Sequence, residues 1–453
     1  MFLSPIQKVL TDAAIRVDGD VLLVALSGGA DSVCLLLALQ ELGYPVEAMH
    51  CNFELRGIES DGDEAFCRRL CKARGVVLHV KHFRTRSYAQ RHHLSIEMAA
   101  RELRYQWFAE MAAERGAQAV CVAHHRDDNI ETLLLNLVRG TGIHGLTGMK
   151  PLSTLRSPLS KVPLLRPLLS ISRADIEAWL AKREQTWVTD RSNLSPDAAL
   201  RNKIRLQLLP LMEEMNPRVR ESLAETAKRL SEAEALMGDA VRDIRSDVEH
   251  SDGSLSVEGL KQATASATVL HEILHPRGYT TDQVREIHEG LEGDSGKLWE
   301  SREGWRLLRD RGRLLMQDGA ALDTSAAHDR VLPLEGFFEA PHGVRLLIRR
   351  QAIAPATFEI PRDAATACFD LEKLALPLTY RTVREGDRFH PFGMSGSRLL
   401  SDFLTDRKLS LFEKEQQLVL LSGDRIAWVV GLRAAAGFEV DEHTRHVMTI
   451  TQL

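Results

Sequence analysis

The chain has 453 residues, 44% hydrophobic and 27% charged, with a formal net charge of −5. That length and composition suit a folded protein of about three domains, each able to bury a core of its own. No run of about 18 apolar residues occurs, which excludes a membrane-spanning helix from the expectation and leaves no membrane partner.

Residues 1 to about 145 alternate strands and helices. Val21–Leu26, Val46–His50, Val76–Lys81 and Ala119–Ala123 are short, Val-rich apolar runs that predict buried parallel strands. Ser32–Leu42, Asp61–Arg74, Ile96–Arg115 and Asn129–Arg139 lie between them with helical periodicity. This order predicts an α/β fold, a doubly wound parallel sheet of Rossmann-like type, with ligands at the carboxyl ends of its strands. From Pro151 to Pro167 the chain becomes proline-rich and reads as a connector, after which Ser172 caps a helix to Lys182. Arg201–Leu211 reads as a short helix, and from about Glu213 the pattern is helical and charged: Val219–Val248, Val257–Leu274 and Thr281–Glu289, then a hairpin at Gly296–Gln317. The small, polar stretch 318–330 reads as a linker. Beyond it strands dominate, at Val344–Arg349, Thr379–Val383, Leu418–Leu421 and Ile426–Val430, with a helix near Leu399–Thr405. The expected domains are therefore an α/β unit with a basic connector over 1–215, a mainly helical domain over 216–325 and an α+β domain over 326–453.

Met1 to Val9 holds no basic cluster followed by an apolar stretch, so no secretion signal is expected and the predicted location is the cytoplasm. Six scattered cysteines, at 34, 51, 67, 71, 121 and 368, sit mostly among apolar neighbours without a Cys-x-x-Cys pair, which fits buried free thiols. Despite the negative total, Lys150 to Arg220 carries 13 Lys and Arg against 7 Asp and Glu, a stretch suited either to nucleic-acid phosphates or to plain solvation.

The chemistry concentrates after the first strand, where Val21–Leu26 runs straight into Ser27-Gly28-Gly29-Ala30-Asp31-Ser32 and an apolar helix. Two glycines permit a tight turn and close approach of backbone N–H groups to an anion, two hydroxyls add donors, and the helix start adds positive dipole. Asp31 alone would repel phosphate; it fits if it holds a Mg²⁺ that neutralises phosphate oxygens. The Walker pattern is absent. A glycine turn with an acid in a helix's first turn is the bland alternative. Gly140-x-Gly142-x-x-Gly145 has the letters of a dinucleotide fingerprint but follows a helix, so a loop closing over substrate is the better reading.

Ser-Gly-Gly-x-Asp-Ser resembles the pyrophosphate loop of the N-type ATP pyrophosphatases, adenine nucleotide alpha hydrolase-like enzymes that split ATP between the α and β phosphates. Further segments are similar to the tRNA(Ile)-lysidine synthetase family: His50-Cys51-Asn52-Phe53-Glu54-Leu55-Arg56-Gly57, Ala123 to Thr132 with its His124-His125-Arg126-Asp127-Asp128-Asn129-Ile130-Glu131 core, and Leu137 to Leu146. Ala100 to Tyr105, Arg166-Pro167-Leu168-Leu169, Asp190-Arg191-Ser192-Asn193, Arg201-Asn202-Lys203-Ile204-Arg205, Gly386-Asp387-Arg388-Phe389, Leu400 to Leu404 and Trp428 to Gly431 extend the likeness over most of the chain. The resemblance implies an ATP- and Mg²⁺-dependent ligase that adenylates the wobble cytidine of a tRNA(Ile) with a CAU anticodon. Free L-lysine then displaces AMP, giving lysidine and changing decoding from AUG to AUA.

It further implies site residues. Ser27, Gly28, Gly29, Ala30, Asp31, Ser32, His50 and His124 would bind ATP; Asp31, and less firmly Asp127, would hold Mg²⁺. Asp128 and Glu131 would bind lysine; their spacing of three puts them on one helix face, where a solvated acidic first turn is the alternative. Arg104 and Arg139 would stabilise charge growing on the α-phosphate, and Asn52, Arg56, Arg201, Lys203 and Arg205 would contact tRNA. Where Phe53 and Glu54 stand, many relatives carry histidine, and a lysine, Lys414, replaces a usual arginine. The oligomeric state stays open between monomer and homodimer. A tRNA thiolase would want a cysteine pair, a small-molecule synthetase would not need the basic stretch, and an inert RNA-binding relative would not need Asp31, Ser32, Asp128 and Glu131.

Overall fold

The computed structural model describes residues 2–157, 160–189, 200–319, 328–354, 358–394 and 396–453, so the Asp190–Asn193 motif and most of the expected 318–330 linker lie outside the described residues. The chain divides into two compact units, Met1–Gly238 and Asp239–Leu453, and the division falls inside a 30-residue helix, Val219–Val248.

The first unit is built on a six-stranded sheet. Its strands are β1 (Leu22–Ala25), β2 (Val46–Asn52), β3 (Val77–His82), β4 (Ala119–Cys121), β5 (Leu152–Ser157) and β6 (Ser160–Leu165), in the spatial order β3-β2-β1-β4-β6-β5. All pair in parallel except β5, which pairs antiparallel with β6 at the edge. The helices are α1 (Leu3–Asp12), α2 (Ala30–Glu41), α3 (Ile58–Arg74), α4 (Thr85–His92), α5 (Ile96–Arg115), α6 (Arg126–Arg139), α7 (Ile143–Leu146) and α8 (Arg173–Ala181). From β1 the chain steps through β2 to β3 on one side, then returns to place β4 on the other side of β1. That reversal opens a crevice at the carboxyl ends of β1 and β4, where such sheets bind ligands.

Side-chain alternation along β1 explains the double winding. Leu22, Val24 and Leu26 face a core shared with Ile6 and Leu10 of α1, Val33 to Leu39 of α2, Leu70 of α3 and Trp179 of α8. Leu23 faces a second core with Trp107, Phe108 and Met111 of α5. α2 is buried from Ser32 to Leu39, so its apolar residues need no amphipathic stripe, each contributing about 1.5–3 kcal/mol on burial. α5 begins on Ser95, whose hydroxyl accepts from Met98 N–H at 3.2 Å, and stops at Gly116 at φ 59°.

The expected 151–167 connector is instead the β5–β6 hairpin, and this corrects the sequence reading. Pro163 pairs across from Thr154 on the β5 side, and only the following Leu164 and Leu165 pair with β4. The residue that lacks an N–H thus sits just where the pairing to β4 has not begun. The expected Arg201–Leu211 helix is Leu200–Lys203 followed by a π turn, Ile204–Leu208, and a helix Leu209–Met215 with Pro210 in its first turn. A wider turn ahead of a proline relieves the ring from the carbonyl four residues back.

In the second unit, helices Val257–Gln262, Ser266–Leu274 and Thr281–Glu289 enclose a core with a sheet built on the hairpin Trp305–Asp310/Arg313–Asp318. Among the described residues the C-terminal part carries two larger antiparallel sheets around one core and a two-stranded ribbon, Arg388–Phe389 with Arg398–Leu399. One contains Arg345–Ala352 between Gly336–Glu339 and His446–Gln452; the other contains Thr379–Thr382, Leu418–Ser422 and Arg425–Val429, with Leu400–Asp406 as a helix. An α/β unit, helices in the middle and an α+β C-terminal part thus appear in the expected order. Among the described residues no helix is long and apolar enough to cross a membrane.

Candidate active site

The Ser27–Ser32 loop leaves β1 at the crevice. Gly28 is at φ +91°, a backbone region that side chains rarely adopt, and a Cβ there would meet Cys67 Sγ at 3.3 Å. Ser32 Oγ donates to the Gly29 carbonyl at 3.0 Å and accepts the Ser27 N–H at 3.2 Å, while Ser27 Oγ lies 3.1 Å from it. The hydroxyls therefore brace the turn. The first i→i−4 bond of α2 is Val33 N–H to Gly29 O, so the N–H groups of Ala30, Asp31 and Ser32 stand at the helix mouth, oriented for an anion.

Asp31 is the hub of the site. Its Oδ2 accepts from Arg173 Nη1 at 2.6 Å, and its Oδ1, 3.8 Å from His125 Nε2, is buried without a hydrogen-bond partner among the described residues. Burial pushes the Asp31 carboxyl above its ordinary range, against the pull of His125 and Arg173. A buried, unpartnered carboxylate oxygen fits a cation. Among the described residues no group of three or more His, Cys, Asp or Glu side chains is arranged to hold a metal, so Mg²⁺ here would take most of its ligands from phosphate and water.

His125 caps α6: its backbone N–H donates to Asp128 Oδ2 at 3.1 Å, and its Nδ1 accepts from the Asp128 N–H at 3.4 Å. Asp127, expected as a second metal ligand, has both oxygens engaged. Oδ2 accepts the Arg173 backbone N–H at 2.8 Å and Oδ1 accepts from Arg220 Nη1 at 2.9 Å. Burial works against its charge, yet these donors and His125 keep the carboxyl below its usual range. Its contacts fasten α8 and the Val219–Val248 helix to α6.

The acid pair does share a face, and two arginines cover it. Arg205 Nε and Nη2 reach Glu131 at 2.6 and 2.9 Å; Arg201 Nε reaches it at 2.8 Å, with Arg201 Nη2 3.3 Å from Asp128 Oδ1. Two residues expected at the tRNA thus lie on the two expected at lysine. Lys203 is exposed, as is Arg56, which donates to Asp63 at 3.0 Å.

Other expected residues are placed differently. Asn52, expected at the tRNA, is 2% exposed, donating to Glu64 at 3.0 Å and accepting from the Glu54 N–H at 3.1 Å, so its side chain is buried where it ties α3 to β2. His50, two residues earlier on the same face of β2, is buried with Nδ1 2.9 Å from the Leu26 carbonyl, beneath the phosphate loop. His124 is buried deeply enough that desolvation, with Arg166, Arg201 and Arg101 adding to it, holds its imidazole well below the ordinary value and neutral. Its Nδ1 has no hydrogen-bond partner among the described residues. Arg104 lies over the Phe53 ring at 5.2 Å. Arg139 ends α6, roughly 16 Å along the axis from Asp128 at the standard helical rise, so the structure does not bring it to the cluster.

Arg173 and Arg220 were not singled out in the sequence. Arg173 directly follows the legible Ser172 cap, but its partner Asp31 is 142 residues away, and no local signal links them. All six cysteines are free, and burial pushes Cys34, Cys51, Cys67 and Cys121 up to about 12 and Cys71 to about 11. Those thiols stay protonated at neutral pH, against a thiolate mechanism.

Three family descriptions match the chain: a PP-loop domain over residues 3–212, a TilS substrate binding domain over 249–318 and a TilS substrate C-terminal domain over 378–450. The tRNA(Ile)-lysidine synthase of Bacteroides thetaiotaomicron is 44% identical over 429 residues, spanning 95% of this chain and 94% of that protein. That of Parabacteroides distasonis is 45% identical over 432 residues, 95% of each chain, and that of Dehalococcoides mccartyi 30% identical over 478 residues, 99% of each.

Proposed function

The chain belongs to the tRNA(Ile)-lysidine synthase family, an ATP-using ligase that acts on tRNA, and from that premise we propose how its residues divide the reaction. The C2 carbonyl oxygen of the wobble cytidine in a CAU anticodon attacks the α-phosphorus of ATP, pyrophosphate leaves, and the ε-amine of lysine then attacks C2 and expels AMP. The product, lysidine, shifts decoding from AUG to AUA. Residues 1–215 perform the chemistry, and 216–325 and 326–453 hold the tRNA.

The observation that carries this reading is the meeting of two elements at the crevice. The carboxylate of the phosphate loop, Asp31, lies 3.8 Å from His125, the cap of the helix that carries Asp128 and Glu131. Nucleotide and amino acid would then meet at one helix start. The Ala30, Asp31 and Ser32 N–H groups cradle phosphate, and His124, neutral and with its Nδ1 unbonded among the described residues, lines the nucleotide pocket. Magnesium bound at Asp31 would neutralise phosphate oxygens during the cleavage. Arg104 stands by the α-phosphate.

Charge decides how lysine enters. Asp128 and Glu131 carry two negative charges, Arg201 and Arg205 two positive ones, so an arriving ammonium finds little net attraction while both arginines stay. We infer that tRNA phosphates draw Arg201 and Arg205 away, with Lys203 as the first contact, and so open the acid pair to lysine. Both sets of expected contacts then hold, one after the other.

The test incubates the protein with ATP, Mg²⁺, labelled lysine and unmodified tRNA(Ile). Label should enter the RNA with release of AMP and pyrophosphate. No transfer with all substrates present overturns the reading.

A further inference from the structure

We propose that Arg173 is a catalytic residue of the ATP-cleaving half-reaction, its guanidinium contacting the β- and γ-phosphates and holding the pyrophosphate as it leaves. The proposal rests on the reading of Ser27–Ser32 as the triphosphate cradle. It adds a residue that this loop does not contain and that the acid pair does not require.

Position comes first. Arg173 opens α8, reached from β6 beside β4, and its backbone N–H is fixed by Asp127 Oδ2 at 2.8 Å. From that anchored start the side chain reaches the phosphate loop. Nη1 donates to Asp31 Oδ2 at 2.6 Å and Nε donates to Glu177 Oε1 at 2.7 Å. Two carboxylates thus hold the guanidinium in one orientation at the loop's carboxylate.

Donor counting comes second. A guanidinium offers five N–H bonds. The two side-chain contacts use one each from Nε and Nη1, and Nη2 meets no partner among the described residues, while the side chain is 38% exposed. One arm of the fork is left open beside a loop shaped for an anion. Paired N–H donors match adjacent phosphate oxygens as a single ammonium cannot.

Charge comes third. The loop itself supplies only N–H groups, hydroxyls and helix dipole. The arginines nearby are bonded to groups outside the loop, Arg201 and Arg205 to Asp128 and Glu131, Arg220 to Asp127 and Glu213, and buried Arg166 to the Lys150 carbonyl and the Ser153 hydroxyl, whereas Arg173 is bonded to the loop's own carboxylate. Cleavage breaks the bond from the α-phosphorus to the bridging oxygen, and the electron pair stays on that oxygen as pyrophosphate departs. A fixed cation beside the bridging and terminal oxygens stabilises that charge where it develops. Asp31 arranges this in one side chain, with Oδ2 on the guanidinium and buried Oδ1 unpartnered beside it.

The experiment is calorimetric titration of the full chain with pyrophosphate, ATP and AMP, each with and without Mg²⁺, for the wild type, Arg173→Ala and Arg173→Lys. Loss of a charge-assisted contact should weaken pyrophosphate and ATP about tenfold or more in Arg173→Ala, while AMP, which lacks those phosphates, binds unchanged. Arg173→Lys should recover part of the loss because charge remains without the fork. If Arg173 merely positions Asp31, Mg²⁺-free pyrophosphate would bind Arg173→Ala as it binds the wild type, and the proposal falls. Should Arg173→Ala melt before titration, wild-type pyrophosphate affinity in Arg173→Lys is the overturning result. A wild-type chain that binds neither ATP nor pyrophosphate refutes the cradle itself, which separates that failure from this one.

Discussion

Arg205 grips Glu131 through two hydrogen bonds, Nε to Oε1 at 2.6 Å and Nη2 to Oε2 at 2.9 Å, and Glu131 is 1% exposed. A carboxylate so buried cannot stand uncompensated, and its cations come from a segment about 70 residues further along the chain. The pairing explains how a buried carboxylate stays charged and folded on α6. It also makes the acid pair's availability depend on where the arginines are.

That dependence predicts an asymmetry in lysine binding. Arg201→Ala removes one of the covering charges but leaves Arg205 on Glu131. Lysine affinity of the tRNA-free protein should rise several-fold, of the order of 1 kcal/mol for one charged contact. Calorimetric titration with lysine, with and without tRNA, measures this. Lysine binding equally weak in wild type and variant, or independent of tRNA in both, would dispose of the latch.

Asp31 gives a separate prediction. Removing its carboxylate takes away the orphan Oδ1 and the Arg173 partner together, while Arg201 and Arg205 keep their bonds to Glu131. Asp31→Ala should therefore lose AMP formation by at least about a hundredfold, as expected for a preorganised electrostatic group, while tRNA affinity changes little. AMP release and a filter-binding titration report the two quantities. Normal turnover in the variant would rule out a role for Asp31 in the chemistry.

His124 supplies a pH signature. Its folded-state value is depressed by burial, so between that value and the unfolded one, about 6.5, the unfolded chain binds more protons. Its contribution is fully present above about pH 6.5 and is lost as pH falls toward the folded value, with a limiting slope of about 1.4 kcal/mol per pH unit. His124→Asn should flatten the stability profile of the first unit between about pH 6.5 and 5. Thermal melts across that window check it, and parallel curves for wild type and variant would show that His124 does not titrate there.

Much of this site could be read from the sequence because its parts are local. The Val-rich strand, the glycine turn and the apolar helix are consecutive, so the expected strand Val21–Leu26 and helix Ser32–Leu42 appear, as Leu22–Ala25 and Ala30–Glu41, on either side of Gly28. The spacing of Asp128 and Glu131 needed only helical geometry. What escaped was contact between distant segments. Asp31 with Arg173, and Glu131 with Arg201 and Arg205, join pieces that no periodicity connects. Asn52 was placed at the tRNA by the resemblance alone, which does not reveal that α3 folds back and supplies Glu64 as its buried partner. The β5–β6 hairpin was hidden because prolines argue against strands, and only the sheet shows that Pro163 falls outside the pairing with β4.

Gly386-Asp387-Arg388-Phe389 invites a reading as a recognition motif, but the contacts of Asp387 are structural. Arg381, 5% exposed, donates Nη1 to Asp387 Oδ2 at 2.7 Å and Nη2 to Oδ1 at 2.8 Å, and the Arg384 N–H adds a third bond at 2.8 Å. Burial disfavours the Asp387 charge, yet these donors outweigh it and hold the carboxyl below its ordinary range. A depressed folded value means stability present above the unfolded value, about 3.9, and lost as pH falls through the folded one. Asp387→Asn leaves the buried Arg381 guanidinium with only the half-exposed Asp329 carboxylate, 3.6 Å from its Nε, as counter-charge. It should therefore cost the second unit about 3 kcal/mol at neutral pH. The gap between wild type and variant should begin to narrow as the pH falls below about 3.9 and close only once it passes the lower folded value, where the wild-type carboxylate is protonated too. Calorimetric melting of the full chain at both pH values, following the transition of the second unit, distinguishes the cases. A variant as stable as wild type at pH 7, with weakened tRNA binding, would return the motif to recognition.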